Sequence, residues 1–178
     1  IGTGRHGARY AQHICQDIEG LHLVAITRRD RNAAAQQAEE YGCRAYADYR
    51  EMLAAPDVDA VIVVVPPTLH GDIIEAAAAE NVAVLLEKPA APNVETGRRM
   101  LRATRAAGIP IMVAQTLRYN GVVRAVRAAR DTIGRVHAVR ISQRFEPSRP
   151  GWIDDPTIAG GGVTLHTGVH SFDTVSYT

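Results

Sequence analysis

The residue best suited to chemistry is Lys88, the only lysine in a chain of 178 residues whose Lys and Arg residues together number 20. It lies in the run Glu87-Lys88-Pro89, directly after the apolar residues 82–86. Lysine presents a compact ammonium whose pKa falls readily in a closed site, a property that arginine lacks. We therefore predict that Lys88 contacts a substrate, with a chance surface lysine as the alternative.

A second group of candidate residues lies near the end of the chain. His166, His170 and Asp173 are spaced i, i+4 and i+7, so on a single helix they would share one face. Histidine titrates near neutral pH and a carboxylate can orient its ring, which makes His170 a candidate acid or base. Two alternatives stay open, a zinc site and a set of residues that satisfy one another at a helix end. We predict no metal, because no glutamate completes an H-E-x-x-H motif.

A glycine-rich loop opens the chain. It fits the G-x-G-x-x-G pattern of dinucleotide-binding loops, and its members are Gly2, Thr3, Gly4, Arg5, His6 and Gly7. A helix-compatible stretch follows at residues 8–18, and a strand pattern then ends at Thr27, where the ribose-reading residue is expected. This context predicts a dinucleotide site formed by all six loop residues, rather than a glycine turn of no special purpose.

The residues after that strand bear on the choice of cofactor. An acidic side chain there would favour NAD, whereas this chain has Thr27-Arg28-Arg29. A hydroxyl and two guanidinium groups suit a 2′-phosphate, so we predict NADP with NAD as the alternative, and we assign Thr27 and Arg28 to the cofactor. The competing interpretation is that these arginines are solvated surface charges.

The elements that position these residues follow an alternating pattern. β-branched runs at residues 22–27, 60–65, 83–87 and 111–114 are separated by stretches of helical length. This predicts an α/β fold, a doubly wound parallel sheet of the Rossmann type, over residues 1–118. Residues 61–65 and 82–86 are apolar throughout, as central strands should be. Asp30, Asp48 and Asn93 are predicted N-caps, and Gly42 and Gly108 are predicted helix ends.

The pattern changes in residues 119–178. A helix-like stretch at 122–132 leads into residues 136–142, which alternate as a strand does. We predict that residues 119–178 begin a second α/β domain. The glycine loop without a preceding strand, and an apolar segment without a stop signal, lead us to expect a fragment truncated at both ends.

Composition excludes several classes of protein. The net charge of +1 argues against a nucleic-acid surface, and no apolar run is long enough to span a bilayer. Cys15 and Cys43 cannot form a disulfide framework, and their scarcity is typical of a reducing, cytoplasmic location.

Five motifs in order resemble the glucose-fructose oxidoreductase and inositol dehydrogenase (Gfo/Idh/MocA) family. They are the glycine loop, residues 66–70, residues 87–89, residues 115–119, and the glycines 160–162 followed by His170 and Asp173. The resemblance implies a Rossmann domain followed by an α/β domain with a mostly antiparallel sheet. It also implies oxidation or reduction of sugars, inositols or related polyols with a nicotinamide cofactor, in a protein that is a homo-oligomer when full length.

The resemblance also implies roles for individual residues. Lys88 would face the substrate, His170 would be the catalytic acid or base, and Asp173 would hold the helix that bears it. Further cofactor contacts are expected at Pro66, Pro67, His70, Glu87, Lys88 and Arg118, and further substrate contacts at Trp152 and His166. The chain departs from the family pattern at His166, where an acidic residue is common, and at Gly121, where proline is common.

The predicted function is therefore hydride transfer between a nicotinamide dinucleotide and a sugar, inositol or related polyol. One alternative is a sensor that binds the dinucleotide without turnover, which the departure at His166 keeps open. A second alternative is a metal-dependent hydrolase that uses His166 and His170.

Overall fold

The computed structural model describes residues 1–143 and 155–178. Parallel strands form its framework, in agreement with the alternating pattern: β1 (Ala25–Thr27), β2 (Arg44–Tyr46), β3 (Ala60–Val63), β4 (Ala83–Leu86) and β5 (Ile111–Val113). β1 pairs with β2, and β3, β4 and β5 pair in that order. The sequence did not predict β2, because its residues are mostly exposed and form no apolar run.

The first two residues join the two sets of strands. The amino group of Ile1 donates to the carbonyl of Ile62 at 2.7 Å, and Val64 N–H donates to the carbonyl of Ile1 at 2.9 Å. On the other side, Gly2 N–H donates to the carbonyl of Thr27 at 2.8 Å. The glycine loop therefore starts at the carboxyl edge of β1 and β3, where a doubly wound fold binds its ligands.

The helices alternate with the strands in the first part of the chain. They are α1 (Gly7–Gln16), α2 (Arg31–Tyr41), α3 (Tyr49–Leu53), α4 (His70–Ala79) and α5 (Val94–Ala107), with a 3₁₀ turn at Pro67–Leu69. Later come a 3₁₀ turn at Thr116–Tyr119, α6 (Gly121–Ala129), a 3₁₀ turn at Arg130–Thr132, α7 (Pro156–Ala159), α8 (Val163–His166) and α9 (Gly168–Tyr177). No helix in these described ranges is long and apolar enough to cross a bilayer.

The predicted helix ends are confirmed. Asp30 accepts a hydrogen bond from Ala33 N–H at 3.1 Å, and Asn93 accepts one from Thr96 N–H at 2.8 Å. Asp48 caps α3 in the same way. Gly42 and Gly108 end α2 and α5 in the left-handed conformation, with φ of 65° and 69°. Only glycine adopts this conformation without steric cost, so these two residues stop the helices where the next strands must begin.

The core lies between the central strands and the helices that cover them. Val63 and Leu86, from β3 and β4, and Ile74, from α4, have no exposed surface. Burial of each such side chain stabilises the fold by about 1.5–3 kcal/mol. This packing fixes the ends of β3 and β4, and the residues that follow those strands inherit their positions.

Three contacts tie the end of the chain to the Rossmann portion. Thr68 Oγ1 donates to the carbonyl of Ile158 at 3.3 Å. Lys88 Nζ donates to the carbonyl of His166 at 3.2 Å. Arg118 forms a two-pronged ion pair with Asp173. These contacts place α7, α8 and α9 over the carboxyl edge of the sheet.

Two local predictions were wrong. Residues 136–142 form no strand, because no described strand lies beside them to complete a ladder, and Val136 and Val139 are exposed. His166 and His170 do not share one helix, because α8 ends at His166 and Thr167, with φ −110°, separates it from α9. The boundary at residues 118/119 and the antiparallel sheet of a second domain stay predictions.

Candidate dinucleotide and catalytic site

The glycine loop has the geometry of a close backbone turn. Gly2 has φ +85°, and a Cβ there would lie 2.2 Å from the carbonyl oxygen of Val64. A Cβ on Gly7 would lie 2.2 Å from the carbonyl oxygen of Gly2. A Cβ on Gly4 would meet no atom within 4 Å. Gly2 and Gly7 are therefore required by packing, whereas Gly4 leaves its backbone open to a ligand.

The same loop carries a polar atom that the described residues do not satisfy. The hydroxyl oxygen of Thr3 is buried and has no hydrogen-bond partner, and the whole residue is 6% exposed. Buried polar atoms nearly always have partners, so such an atom beside an open backbone fits a bound ligand. The loop that starts α1 thus fits the pyrophosphate of a dinucleotide, which would meet backbone N–H groups at a helix N-terminus. Arg5 is exposed at the loop surface.

Arg28 lies beside the glycine loop. Its Nη1 donates to the carbonyl oxygen of Thr3 at 3.5 Å, and the side chain is partly buried. Thr27 is buried, and its carbonyl receives the N–H groups of both Gly2 and Thr3. Arg29 is exposed. Of the two arginines, Arg28, which the sequence assigned to the cofactor, is the one that contacts the loop.

Glu87 connects the glycine loop to Lys88. Its Oε1 accepts hydrogen bonds from Tyr10 Oη at 2.6 Å and from His6 Nε2 at 2.8 Å, and its Oε2 accepts one from Lys88 N–H at 3.0 Å. Glu87 is only 7% exposed. Burial raises the pKa of this carboxyl, but the hydrogen bonds from Tyr10 and His6 outweigh it and hold the pKa below its usual value. Glu87, expected to contact the cofactor, directs its carboxylate to these protein groups.

Lys88 lies at the end of β4, in the turn that a cis Lys88–Pro89 peptide bond forms. Its side chain is partly buried, and its ammonium reaches the carbonyl oxygen of His166. The end of β4 and the end of α8 are thereby brought together across a sequence separation of 78 residues. The predicted substrate contact therefore lies near the predicted acid or base.

His70 and Pro67 lie behind the cleft surface rather than on it. Both are fully buried. Each ring nitrogen of His70 is 3.0 Å from a backbone carbonyl oxygen, Nδ1 from Ala90 and Nε2 from Val65. Burial lowers the pKa of His70, although the two carbonyls favour its charged form. His70 thus joins the turns after β3 and β4. Among the expected residues of the turn after β3, Pro66 is partly exposed, whereas Pro67 and His70 are not.

The two C-terminal histidines have different environments. His166 is 9% exposed, and its Nε2 lies 3.1 Å from the carbonyl oxygen of Ala159. His170 is partly exposed, and its buried Nδ1 has no hydrogen-bond partner among the residues that the structure describes. Burial, followed by the positive charge of Lys88, lowers the pKa of His170 below its usual 6.5. His170 is therefore neutral at pH 7 and able to accept a proton.

Arg118 holds the helix that bears His170. Its Nε donates to Asp173 Oδ2 at 2.9 Å and its Nη2 to Asp173 Oδ1 at 2.5 Å. The Asp173 side chain is 11% exposed, so the pair is sheltered on one side. The guanidinium of Arg118, which was expected to contact the cofactor, is therefore bound by the Asp173 carboxylate.

Within residues 1–143 and 155–178, no three His, Cys, Asp or Glu side chains lie close enough to hold a metal ion. Trp152, an expected substrate contact, lies outside the described residues.

Tyr10 is a residue that the sequence analysis missed. It lies three positions after Gly7 on α1, so both face the same side of that helix. The available signal was a tyrosine three positions after the last glycine of the loop, on the same face of the helix. Its significance depends on the contact with Glu87, 77 residues away, which no local pattern reveals.

Comparisons with known proteins agree with this geometry. Residues 1–115 match the family model described as "Oxidoreductase family, NAD-binding Rossmann fold". The chain is 30% identical over 181 residues to myo-inositol 2-dehydrogenase of Thermotoga maritima, covering 99% of this chain and 53% of that protein. It is 34% identical over 163 residues to 1,5-anhydro-D-fructose reductase of Ensifer adhaerens, covering 89% of this chain and 49% of that protein.

Solved structures extend the likeness to the whole described chain. The aldose-aldose oxidoreductase of Caulobacter crescentus, in complex with glycerol, superposes with a TM-score of 0.83 at 26% identity. The match covers 99% of this chain and 55% of that protein. The chain thus spans about half the length of the relatives that it matches.

Proposed function

This chain belongs to the Gfo/Idh/MocA family of oxidoreductases with an NAD-binding Rossmann fold, and from that premise we propose that the full-length protein transfers hydride between NADP(H) and a sugar, inositol or related polyol. The relatives named above are dehydrogenases and reductases of such compounds, which supports this substrate class. His170 is the proposed acid or base, and Lys88 the proposed contact of the reacting oxygen. A cytoplasmic location and a homo-oligomeric state stay predictions.

The observation that carries the proposal is the contact of Lys88 with the end of α8, directly before the helix that bears His170. The ammonium contacts the carbonyl of His166, four residues before His170, and its charge lowers the pKa of His170. A fixed cation beside a neutral histidine, at the edge of the sheet that carries the glycine loop, suits alcohol oxidation. The histidine can take a proton while the cation stabilises the oxygen that loses it.

The proposed reaction moves one proton and one hydride. In the oxidative direction, Nε2 or Nδ1 of His170 accepts the proton of a substrate hydroxyl, and the C–O bond becomes a carbonyl. The bound nicotinamide supplies the acceptor for the hydride that leaves the same carbon. Lys88 donates a hydrogen bond to the reacting oxygen and offsets the negative charge that develops there. Reduction reverses these steps, with His170 as the acid.

Alanine variants of the full-length protein test the two roles. Lys88→Ala and His170→Ala should each lower turnover of inositols or aldoses by about 10²–10⁴-fold, the range for a lost acid–base or electrostatic contribution. Affinity for the dinucleotide should stay close to that of the wild type. His13→Ala is the matched control, because His13 is an exposed histidine that pairs with Asp17 on α1. Unchanged turnover in both test variants would refute the assignment.

Measurements of dinucleotide binding and of activity on the wild-type protein separate the rival functions. Tight dinucleotide binding without turnover of any inositol or aldose tested would indicate a sensor. Activity that is lost on chelation and restored by zinc would indicate a metal-dependent hydrolase.

The preference for NADP is supported by the contact of Arg28 with the glycine loop. A guanidinium there would meet a 2′-phosphate as a charge-assisted partner. Arg28→Ala should weaken NADPH binding by about 10- to 150-fold and leave NADH binding nearly unchanged, since loss of one such charge-assisted contact costs about 1.5–3 kcal/mol. Arg29→Ala, an exposed neighbour, is the control. Tighter binding of NADH than of NADPH by the wild type would refute the preference.

A further inference from the structure

The buried carboxylate of Glu87 is the centre of a small, partly exposed network, since the His6 side chain is 55% exposed. Tyr10 Oη and His6 Nε2 converge on Oε1 at 2.6 and 2.8 Å, while Lys88 N–H reaches Oε2 at 3.0 Å. Tyr10 and His6 are 77 and 81 residues away from Glu87 in the chain. The network therefore joins the glycine loop and α1 to the turn after β4.

The charge state of Glu87 shows how much the network depends on its donors. Glu87 is 7% exposed, and burial by itself favours the neutral carboxylic acid. The hydrogen bonds of Tyr10 and His6 reverse that tendency and keep the carboxylate ionised. Burial, followed by the same contact, raises the pKa of the Tyr10 hydroxyl, which stays protonated and able to donate. Glu87 thus stays ionised and Tyr10 stays protonated, which are the states that their hydrogen bond requires.

The network also restrains Lys88 at its backbone. An ionised carboxylate is a stronger acceptor than a neutral one, so the hydrogen bond from Lys88 N–H to Oε2 is charge-assisted. At the other end of the side chain, the ammonium contacts the carbonyl of His166. Lys88 is therefore held at two points, one supplied by Glu87 and the other by α8.

We propose that Tyr10 and His6 are positioning residues for Lys88, and that they act through the carboxylate of Glu87. Neither needs to touch the substrate. They orient the backbone from which the ammonium extends, and they join that backbone to the loop assigned to the dinucleotide. The inference deepens the proposed function and rests on it, because it takes Lys88 as the contact of the reacting oxygen.

The first test is Tyr10→Phe in the full-length protein, which removes one donor and keeps the ring. We expect kcat to fall about tenfold, the effect of losing one hydrogen bond to a charged group. The Kd for NADPH should change by less than about twofold. Such a change equals roughly 0.4 kcal/mol, which is no larger than the effect of an ordinary surface substitution. Tyr41→Phe, at a partly exposed tyrosine on α2, is the matched control and should leave kcat unchanged.

Double-mutant cycles show whether Tyr10 acts through the named residues. In a Glu87→Gln background, and again in a Lys88→Ala background, Tyr10→Phe should cause less than half of its effect on the wild type, because linked residues are not additive. A purely structural tyrosine would lower kcat by the same factor in every background. Full additivity in both cycles would overturn the proposal.

His6 provides an independent test with a conservative rescue. His6→Leu removes the donor and should lower kcat, whereas His6→Gln keeps a side-chain N–H and should restore most of it. Equal losses in the two variants would contradict a role through hydrogen bonding. Thermal midpoints of all variants are measured alongside, and a variant that loses its cooperative transition is replaced by Tyr10→Leu or His6→Ala, which also remove the donor.

The failure of this inference differs from the failure of the proposed function. If Lys88→Ala and His170→Ala both retain full turnover, the proposed function fails. If Lys88→Ala is inactive while Tyr10→Phe and His6→Leu resemble Tyr41→Phe, only the positioning role fails.

Discussion

The second and third glycines of the loop should respond in opposite ways, in stability, to substitution by alanine. Gly4→Ala and Gly7→Ala each add one methyl group to the loop. At Gly7 the new Cβ would lie 2.2 Å from the carbonyl oxygen of Gly2, much closer than ordinary contact, so the loop or α1 must shift. At Gly4 the new Cβ would meet nothing within 4 Å.

The structure gives the size of each effect. Overpacking of this kind costs about 1–3 kcal/mol, so Gly7→Ala should lower the free energy of unfolding by that amount. Gly4→Ala should leave stability unchanged or raise it by about 0.5 kcal/mol, since alanine restricts the unfolded chain. The same methyl group would occupy the space through which a pyrophosphate approaches the backbone. We expect the Kd for NADPH to rise at least about tenfold, equivalent to 1.4 kcal/mol.

The assay is denaturant unfolding of the full-length variants together with a fluorescence titration with NADPH. Gly121→Ala serves as the control, because its Cβ also meets nothing within 4 Å and the residue lies at the start of α6, away from the loop. An unaltered Kd in a fully stable Gly4→Ala variant would refute the assignment of the loop to the pyrophosphate. An unaltered stability of Gly7→Ala would refute the packing argument.

Three further outcomes are expected. His70→Leu should lower the free energy of unfolding by about 2 kcal/mol in denaturant unfolding, because the buried ring would no longer bridge the carbonyls of Ala90 and Val65; an unchanged midpoint would show that the ring is dispensable. The oxidative kcat/KM should decline on the acid side with a midpoint below pH 6.5, since burial and the charge of Lys88 lower the pKa of His170 and keep that base neutral to lower pH than usual; a midpoint above pH 6.5 would contradict this sign. Asp173→Asn should lower kcat several-fold without altering the Kd for NADPH, because α9 loses its ion pair with Arg118; equal turnover would show that the pair does not position His170.

Local patterns predicted the framework of the fold correctly. Residues 61–65 and 82–86 are apolar throughout because both faces of their strands are covered, and the structure places β3 and β4 there. Asp30 and Gly42 bound α2 because capping depends on only a few neighbouring atoms. Such features need no information from distant residues.

Predictions that required a partner from elsewhere were less accurate. β2 is stabilised by its pairing with β1 rather than by its own sequence, so no pattern marked it. Residues 136–142 carry the pattern of a strand but have no described neighbour, and a strand forms only where another completes its hydrogen bonds. His70 has the chemistry of a site residue, yet packing buries it completely.

The sequence by itself determined the parallel α/β framework, the glycine loop and the identity of the residues able to do chemistry, because these depend on residue type and short-range spacing. Only the tertiary structure decided which of those residues meet. The ammonium of Lys88 lies beside α8 and α9, and the carboxylate of Glu87 meets Tyr10 and His6, because the sheet brings together segments that are 77 to 81 residues apart. Long-range contacts follow from the packing of the whole chain, and for that reason Tyr10 was recognised only in the folded molecule.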